Sequence, residues 1–200
     1  MKIDQARLAV AAHEARMFLR DGRPEVVFAG RSNVGKSSLL NRLLGRKDLA
    51  HTGSKPGRTR SINYFLINDR FYFVDLPGYG YAKAAKDERR RWAVLIDQYL
   101  QQALPQALVV HLVDSKVGAT SLDIQAHEYM ASLGARTMVV ATKADRLPRS
   151  KRAKALATIR RDLSLDQEVK LLPVSARTGE GIKELWSGIA LGALNSGAQP

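Results

Sequence analysis

Residues 25–44 read Glu25-Val26-Val27-Phe28-Ala29-Gly30-Arg31-Ser32-Asn33-Val34-Gly35-Lys36-Ser37-Ser38-Leu39-Leu40-Asn41-Arg42-Leu43-Leu44. The opening run is short, apolar and β-branched, as a buried strand is. The middle, Gly30 to Ser37, is GxxxxGKS, the pattern of a phosphate-binding loop. The residues after it suit a helix that stops at Gly45. A strand, a glycine-cornered loop and a helix form the context the pattern needs. The glycines reach backbone conformations that other residues resist. Successive N–H groups can then turn inward onto phosphate oxygens, beside a helix N-terminus. In such a loop Lys36 reaches the β- and γ-phosphates, and the Ser37 hydroxyl binds Mg²⁺. A chance glycine turn is the bland alternative, and the flanking strand and helix speak against it.

Two hundred residues suit one domain with a normal core. There is no cysteine, so no disulfide staples exist and nothing implies an oxidising compartment. His13, Glu14 and Arg16 break up the apolar residues near the N-terminus, so no secretory core is seen there. No stretch approaches the roughly 20 apolar residues that a membrane helix needs. The expectation is a cytoplasmic, monomeric protein with no membrane partner. The net charge of +13 points to a polyanion, nucleic acid before an anionic membrane.

Residues 3–19 are ambiguous, with no clean stripe, but their alanines favour helix. Residues 51–60 form a long polar loop rich in Gly, Ser, Thr and cations, usually a functional feature in a compact domain. Residues 61–67 and 70–74 are strand-like, with Asn68-Asp69 as a tight hairpin turn. Trp92, Leu95, Ile96, Tyr99 and Leu100 recur at one-sided helical spacing. A buried strand follows at 107–113, then a helix at 122–133 ended by Gly134, and a second buried strand at 137–141. A basic helix spans 150–163, with Ser150 as its N-cap. The last strand covers 169–174, where Pro173 fits an edge position. Ile182, Leu185, Trp186 and Ile189 mark a closing helix. Strands alternating with helices predict an α/β fold of three layers: a mainly parallel sheet with helices on both faces and one antiparallel edge strand. The expected layout is an N-terminal extension over 1–23 packed on the domain, a nucleotide-binding domain over 24–194 and a frayed end at 195–200.

Three further motifs follow the loop in order. Asp75-Leu76-Pro77-Gly78 is a DxxG at a strand end. There a carboxylate can hold Mg²⁺ through water while the Gly78 amide meets a γ-phosphate. It is also an ordinary turn sequence. Thr142-Lys143-Ala144-Asp145 is more informative. Asp145 can accept two hydrogen bonds from N1 and N2 of guanine, whereas adenine offers no such pair. At about 1.5–3 kcal/mol per charge-assisted bond, two of them favour GTP over ATP by orders of magnitude. Lys143 can lay its aliphatic stem on the base. Ser175-Ala176 could offer backbone N–H to guanine O6. Singly these are weak. Together they occur in order on the strand-end edge where ligands bind in open α/β sheets.

The chain resembles the EngB (YsxC/YihA) family of bacterial Ras-like GTPases. The resemblance rests on GRSNVGKSSLLNRL from Gly30, SKPGRTRSINYFLIND from Ser54, FYFVDLPGYGYAK from Phe71 and TKAD from Thr142. It implies a six-stranded Ras-like P-loop sheet, usually a short strand within the first twenty residues (where this sequence itself looks more helical, so that segment stays open), GTP and GDP binding with Mg²⁺, slow GTP hydrolysis, and a role in assembling the large ribosomal subunit on its precursor rRNA. It also implies a need for the protein in cell division and septation. By the same resemblance the GTP-binding set comprises Gly30, Arg31, Ser32, Asn33, Val34, Gly35, Lys36, Ser37, Ser38, Gly57, Arg58, Thr59, Arg60, Ser61, Asp75, Leu76, Pro77, Gly78, Thr142, Lys143, Ala144, Asp145, Val174, Ser175 and Ala176. Lys36, Asn33, Thr59 and Gly78 form the catalytic set. Ser37 and Thr59 would ligate the metal directly, and Asp75 through water. Asn33 either braces the loop or holds K⁺ near the β- and γ-phosphates with its side-chain oxygen. The residue after DxxG is Tyr79, where Ras-type proteins use a glutamine to orient water, so hydrolysis is expected to need help from a partner or a cation.

Two rival readings differ in class. One is a septation regulator acting through protein partners without RNA contact; sedimentation with ribosomal particles separates it from the first. The other is a metabolic P-loop kinase, which has no reason to carry TKAD. Between residues 146 and 161 stand Arg146, Arg149, Lys151, Arg152, Lys154, Arg160 and Arg161, with no acid among them. If Ala153, Leu156, Ile159 and Leu163 claim the buried face of that helix, the cations project outward. Arg58, Arg60, Lys83, Lys86 and residues 89–91 add charge in or near the two loops that a γ-phosphate would order.

Overall fold

Val26 and Phe28 face one side of strand β2 (Glu25–Gly30), Val27 and Ala29 the other, and all four are buried. A strand buried on both faces belongs at the centre of a sheet with helices above and below. The computed structural model describes residues 3–46, 49–50, 61–80, 86–104 and 106–194. Its strands are β1 (Ala6–Ala12), β2, β3 (Ile62–Ile67), β4 (Phe71–Asp75), β5 (Leu108–Asp114), β6 (Arg136–Thr142) and β7 (Leu171–Pro173). Its α-helices are α1 (Lys36–Leu44), α2 (Lys86–Ala103), α3 (Ser121–Ser132), α4 (Arg149–Asp162) and α5 (Ile182–Ile189). The strand order is β1-β3-β4-β2-β5-β6-β7. β4, β2, β5, β6 and β7 are mutually parallel, and β3 is antiparallel to both of its neighbours.

The α/β class holds, but the sheet has seven strands where the resemblance implied six. The N-terminal alanines do not form a helix. Their strand pairs with β3, Ala6 opposite Ile67 and Ala12 opposite Ile62, with one register shift between Leu8 and Val10. The reason is tertiary. β3 is apolar almost throughout, and without a partner it would present a row of unpaired backbone groups at an edge. Covering that edge outweighs helix preferences of a few tenths of a kcal/mol per residue. Asn68 fixes the register: its Oδ1 accepts Asp4 N–H at 2.9 Å and Gln5 N–H at 3.0 Å. The expected antiparallel strand is therefore antiparallel but not at the edge. Its hairpin is as expected, with Asn68 and Asp69 both at positive φ, as a two-residue primed turn requires.

Three apolar clusters fill the layers. Val26, Phe28, Phe73, Val110 and Val140 pack under α1 and α5 through Leu39, Leu40, Leu185 and Ile189. On the opposite face Val27, Tyr64, Val74 and Val109 pack under α2 and α3 through Leu95, Tyr99, Leu100 and Met130. Val113, Val139 and Ala141 meet Ile159 and Leu163 around α4. Ala153, expected on that buried face, is exposed, because α4 leans on the sheet only through its C-terminal half. Nor does Ser150 cap this helix: Pro148 holds the N-cap position without a side-chain bond. Proline's fixed φ sets the entry of the chain instead. β7 pairs only with β6, so Pro173 does stand on an edge strand. Among the described residues no helix is long and apolar enough to cross a membrane.

Candidate functional site

β2 ends at Gly30, where space is decisive. A Cβ there would lie 3.0 Å from both Leu112 Cβ and Val34 Cγ1. The chain then turns through Asn33 at φ +65° and Gly35 at φ +104° before α1 begins at Lys36. The first-turn amides of α1 have no intrahelical acceptor, and no acidic side chain occupies that turn. The concavity therefore offers N–H donors and a positive helix end to an anion. Ser37 is half-buried and Ser38 exposed at its rim, while Val34 is buried.

Lys36 is buried and forms an ion pair with Asp75 Oδ1, at the last residue of β4. The loop lysine and the DxxG carboxylate thus face one cleft. Leu76 and Pro77 are buried behind it. Gly78 comes so near the phosphate loop that a Cβ would stand 3.0 Å from Ser32 N. Ser32 N–H donates to Tyr79 O at 2.9 Å, and Ser32 Oγ donates to Gly78 O at 3.3 Å. The DxxG turn is strapped to the loop. The Tyr79 side chain leaves the cleft and runs under α3 to His111 and Asp123.

The TKAD run leaves the end of β6. Thr142 Oγ1 donates to Val34 O at 2.7 Å, with Val113 O at 3.2 Å. Lys143 adopts φ +56° and crosses Gly35, its Nζ bonding Asn33 O at 2.6 Å and Asp114 Oδ2 at 2.7 Å. Ala144 is buried and its N–H reaches Val174 O at 3.1 Å. Asp145 accepts from Ser175 Oγ at 2.6 Å and Arg177 Nε at 2.9 Å. The Ser175 hydroxyl first, and Arg177 with it, hold the Asp145 carboxyl below the usual carboxylate range. It is an ionised, acceptor-only group at neutral pH. Gly35, Ser38, Thr142, Lys143, Asp145 and Ala176 are among the residues lining one cavity of about 200 Å³. The loop therefore meets the TKAD and Ser175-Ala176 motifs, which lie more than 100 residues further along the chain, in one place.

Ser61 is buried, its hydroxyl donating to Asn63 Oδ1 at 2.8 Å. Gly57, Arg58, Thr59 and Arg60 lie outside the described residues, as does Lys83. Sequence reasoning missed Asp114. It ends β5, binds Lys143, and accepts Lys116 N–H at 2.9 Å. Burial pushes its pKa up, but the Lys143 hydrogen bond, the backbone donors and the Lys143 charge outweigh that and hold it low. A carboxylate closing an apolar strand on the same edge as Asp75 was the available signal. Arg177, which also lines the cavity, carried none, and Arg146 beside it was read only as part of the basic run.

The donors fit a hard divalent cation. A first-turn hydroxyl, Ser37, and one strand-end carboxylate, Asp75, are oxygen ligands of the kind Mg²⁺ takes alongside phosphate oxygens and water. Among the described residues no group of three His, Cys, Asp or Glu side chains gathers to hold a metal by protein ligands alone.

A family model described as "50S ribosome-binding GTPase" matches residues 25–143. A probable GTP-binding protein EngB of Bacillus subtilis is 40% identical over 189 residues, covering 94% of this chain and 97% of that protein. Its counterpart in Pelotomaculum thermopropionicum is 48% identical over 185 residues, covering 92% and 93%. Among solved structures, a probable GTP-binding protein engB aligns with a TM-score of 0.65 at 24% identity, over 82% of this chain and 96% of that one. Era in complex with MgGDPNP and nucleotides 1506-1542 of 16S ribosomal RNA aligns with a TM-score of 0.68 at 26% identity, over 85% of this chain and 56% of that one.

Proposed function

The chain belongs to the EngB family of GTP-binding proteins, and from that premise we propose that this GTPase is a nucleotide switch for assembly of the large ribosomal subunit, with normal septation depending on it. Binding and hydrolysis of GTP follow from the family. The assembly role is our reading, and one observation supports it above others. Arg146, Arg149, Lys151 and Lys154 are exposed and have no carboxylate partner among the described residues, and this basic strip starts at Arg146, which lines the nucleotide cavity. The expected strip is narrower than the sequence implied. Arg152 pairs with Glu180, and Arg160 donates to the carbonyls of Asp166 and Val169. A basic surface next to a nucleotide-controlled site is what a phosphate backbone would engage.

Within the reaction, Lys36 would leave Asp75 for the β- and γ-phosphate oxygens, neutralising charge that develops there. Ser37 and Thr59 would hold Mg²⁺, with Asp75 acting through water; when bound, the ion supplies charge between the two phosphates. The Gly78 amide would meet the γ-phosphate. Asp145 would select guanine, and Val174, Ser175 and Ala176 would close over its O6 side. Asn33 already braces the loop through its carbonyl, and its exposed side chain would hold K⁺ at the lip. No side chain at position 79 reaches the cleft to orient water, which supports a slow intrinsic rate.

The test is sedimentation of the protein with precursor particles of the large subunit in the presence of a GTP analogue or GDP. Co-sedimentation favoured by the analogue is expected. Equal binding in both states, or none, would sink the assembly reading while leaving GTP hydrolysis in place.

A further inference from the structure

We propose that Tyr79, His111 and Asp123 are positioning residues for the GTPase reaction, holding the Gly78–Tyr79 backbone where it can read a γ-phosphate. The proposal rests on the nucleotide reading above and names the part of the fold that sets this turn.

The donor order follows from chemistry. Tyr79 Oη lies 2.7 Å from Asp123 Oδ1 and 2.9 Å from His111 Nε2. A carboxylate only accepts, so the single hydroxyl proton goes to Asp123. His111 must then donate its Nε2–H to Tyr79 Oη, which leaves Nδ1 as a bare acceptor. Nδ1 is indeed buried without a partner. Burial first, then the neighbouring His127, hold the His111 pKa down to about 4, so the ring is neutral at physiological pH. Its ring stacks on His127 at 5.5 Å between centroids and 10° between planes. Burial likewise pushes the Tyr79 hydroxyl well above its ordinary range, keeping its proton in place.

Each end of this chain of bonds is anchored in regular structure. His111 sits in the middle of β5, paired on both sides within the sheet. Asp123 uses its second oxygen to close the capping box of α3, accepting Thr120 N–H at 2.8 Å and Thr120 Oγ1–H at 2.6 Å. Tyr79 is therefore pinned to sheet and helix through its ring, while its carbonyl accepts Ser32 N–H from the phosphate loop. The one glycine whose amide would contact the γ-phosphate is the residue before it. Release of the ring would leave that amide to be ordered by the nucleotide, at a cost charged to GTP and not to GDP.

The experiment compares wild type with Tyr79→Phe, Asp123→Asn, His111→Gln and His111→Leu. Fluorescent GDP and GTP-analogue affinities, single-turnover hydrolysis and Tm are measured for each. Tyr79→Phe should weaken GTP-analogue binding about three- to tenfold relative to GDP, the scale of one buried hydrogen bond. Hydrolysis should slow with it. His111→Gln supplies an amide donor where Nε2 stood and should keep the wild-type ratio, whereas His111→Leu should not. Nitrogen-15 spectra of the wild type should show His111 as the Nε2–H tautomer. A lowered Tm with an unchanged GTP-to-GDP ratio would reduce the three residues to a structural role and overturn the proposal, as would an Nδ1–H tautomer. If the wild type itself fails to bind GTP, the nucleotide reading fails first, and that outcome is distinct.

Discussion

Each carboxylate oxygen of Asp145 already accepts one hydrogen bond, from Ser175 and from Arg177, and each keeps a second lone pair that a guanine base could use. Asp145→Asn turns one oxygen into a donor. It should weaken GTP binding at least about a hundredfold and favour xanthosine triphosphate, since two charge-assisted bonds are worth about 1.5–3 kcal/mol each. Competition with the three nucleotides checks it; wild type binding ATP as well as GTP would remove the basis. Asn33 gives a second test. Hydrolysis should run faster in KCl than in NaCl at matched ionic strength, and equal rates would leave Asn33 as a loop brace only. Glu25 gives a third, at the opposite end of β2. Burial first, opposed by the Tyr99 hydroxyl and aided by Asp21, pushes its pKa from 4.5 up to about 7. A raised carboxyl pKa favours the neutral folded form, so its contribution is complete below pH 4.5 and lost as pH rises through 7. The loss is up to about 3 kcal/mol. Glu25→Gln, a mimic of the neutral form, should raise Tm at pH 8 and change little at pH 5; a pH-independent gain would contradict this. The meeting of the motif residues at one edge was legible because each motif encodes backbone shape as well as chemistry, as Gly30 and Gly35 show. Asp114, Arg177 and the Tyr79 partners were not, because their roles come from contacts between residues far apart in sequence.

Elements were legible where burial and propensity agree. The central strands are apolar on both faces, and nothing competes with that reading. At the N-terminus they disagree: alanines prefer helix locally, but β3 offers an edge that only a strand can cover. No periodicity within residues 3–19 reports the needs of β3. The basic helix α4 was legible in extent but not in orientation, since its lean on the sheet depends on Ile159 and Leu163 alone of the four positions chosen being fully buried. The start of α5 carries a sharper constraint. Gly181 has φ +74°, and a Cβ there would stand 2.2 Å from Pro173 O. Gly22 has φ +77° with nothing within 4 Å. Gly22→Ala should therefore cost only the left-handed strain of about 1 kcal/mol. Gly181→Ala should cost several times more and loosen the Val174–Ala176 side of the cavity that Lys143 and Asp145 also line. Denaturant unfolding with nucleotide affinity on both variants checks the contrast; similar losses for the two would show that the clash relaxes freely.

Over the whole molecule the excess of cations is unevenly committed. Arg7, Arg16, Arg23, Arg152, Arg161 and Arg177 are paired with carboxylates. Lys36 and Lys143 are paired with Asp75 and Asp114 at the strand ends. The strip on α4 and the exposed Arg90 and Arg91 on α2 remain on the surface. Exposed charges within a single protein contribute little to stability, so neutralising them separates binding from folding. Arg152 is excluded because it holds Glu180, and Arg146 because it lines the cavity. The triple variant Arg149→Gln, Lys151→Gln, Lys154→Gln should keep its Tm and GTP affinity. Binding to large-subunit particles should fall, and its dependence on salt should flatten. Each lost phosphate contact removes about 0.7–0.9 from the slope of log affinity against log salt, so three contacts lower it by about 2–3. A flattened slope at constant GTP affinity places RNA against α4. An unchanged slope moves the RNA-facing surface elsewhere, with α2 and its Arg90 and Arg91 the next surface to neutralise.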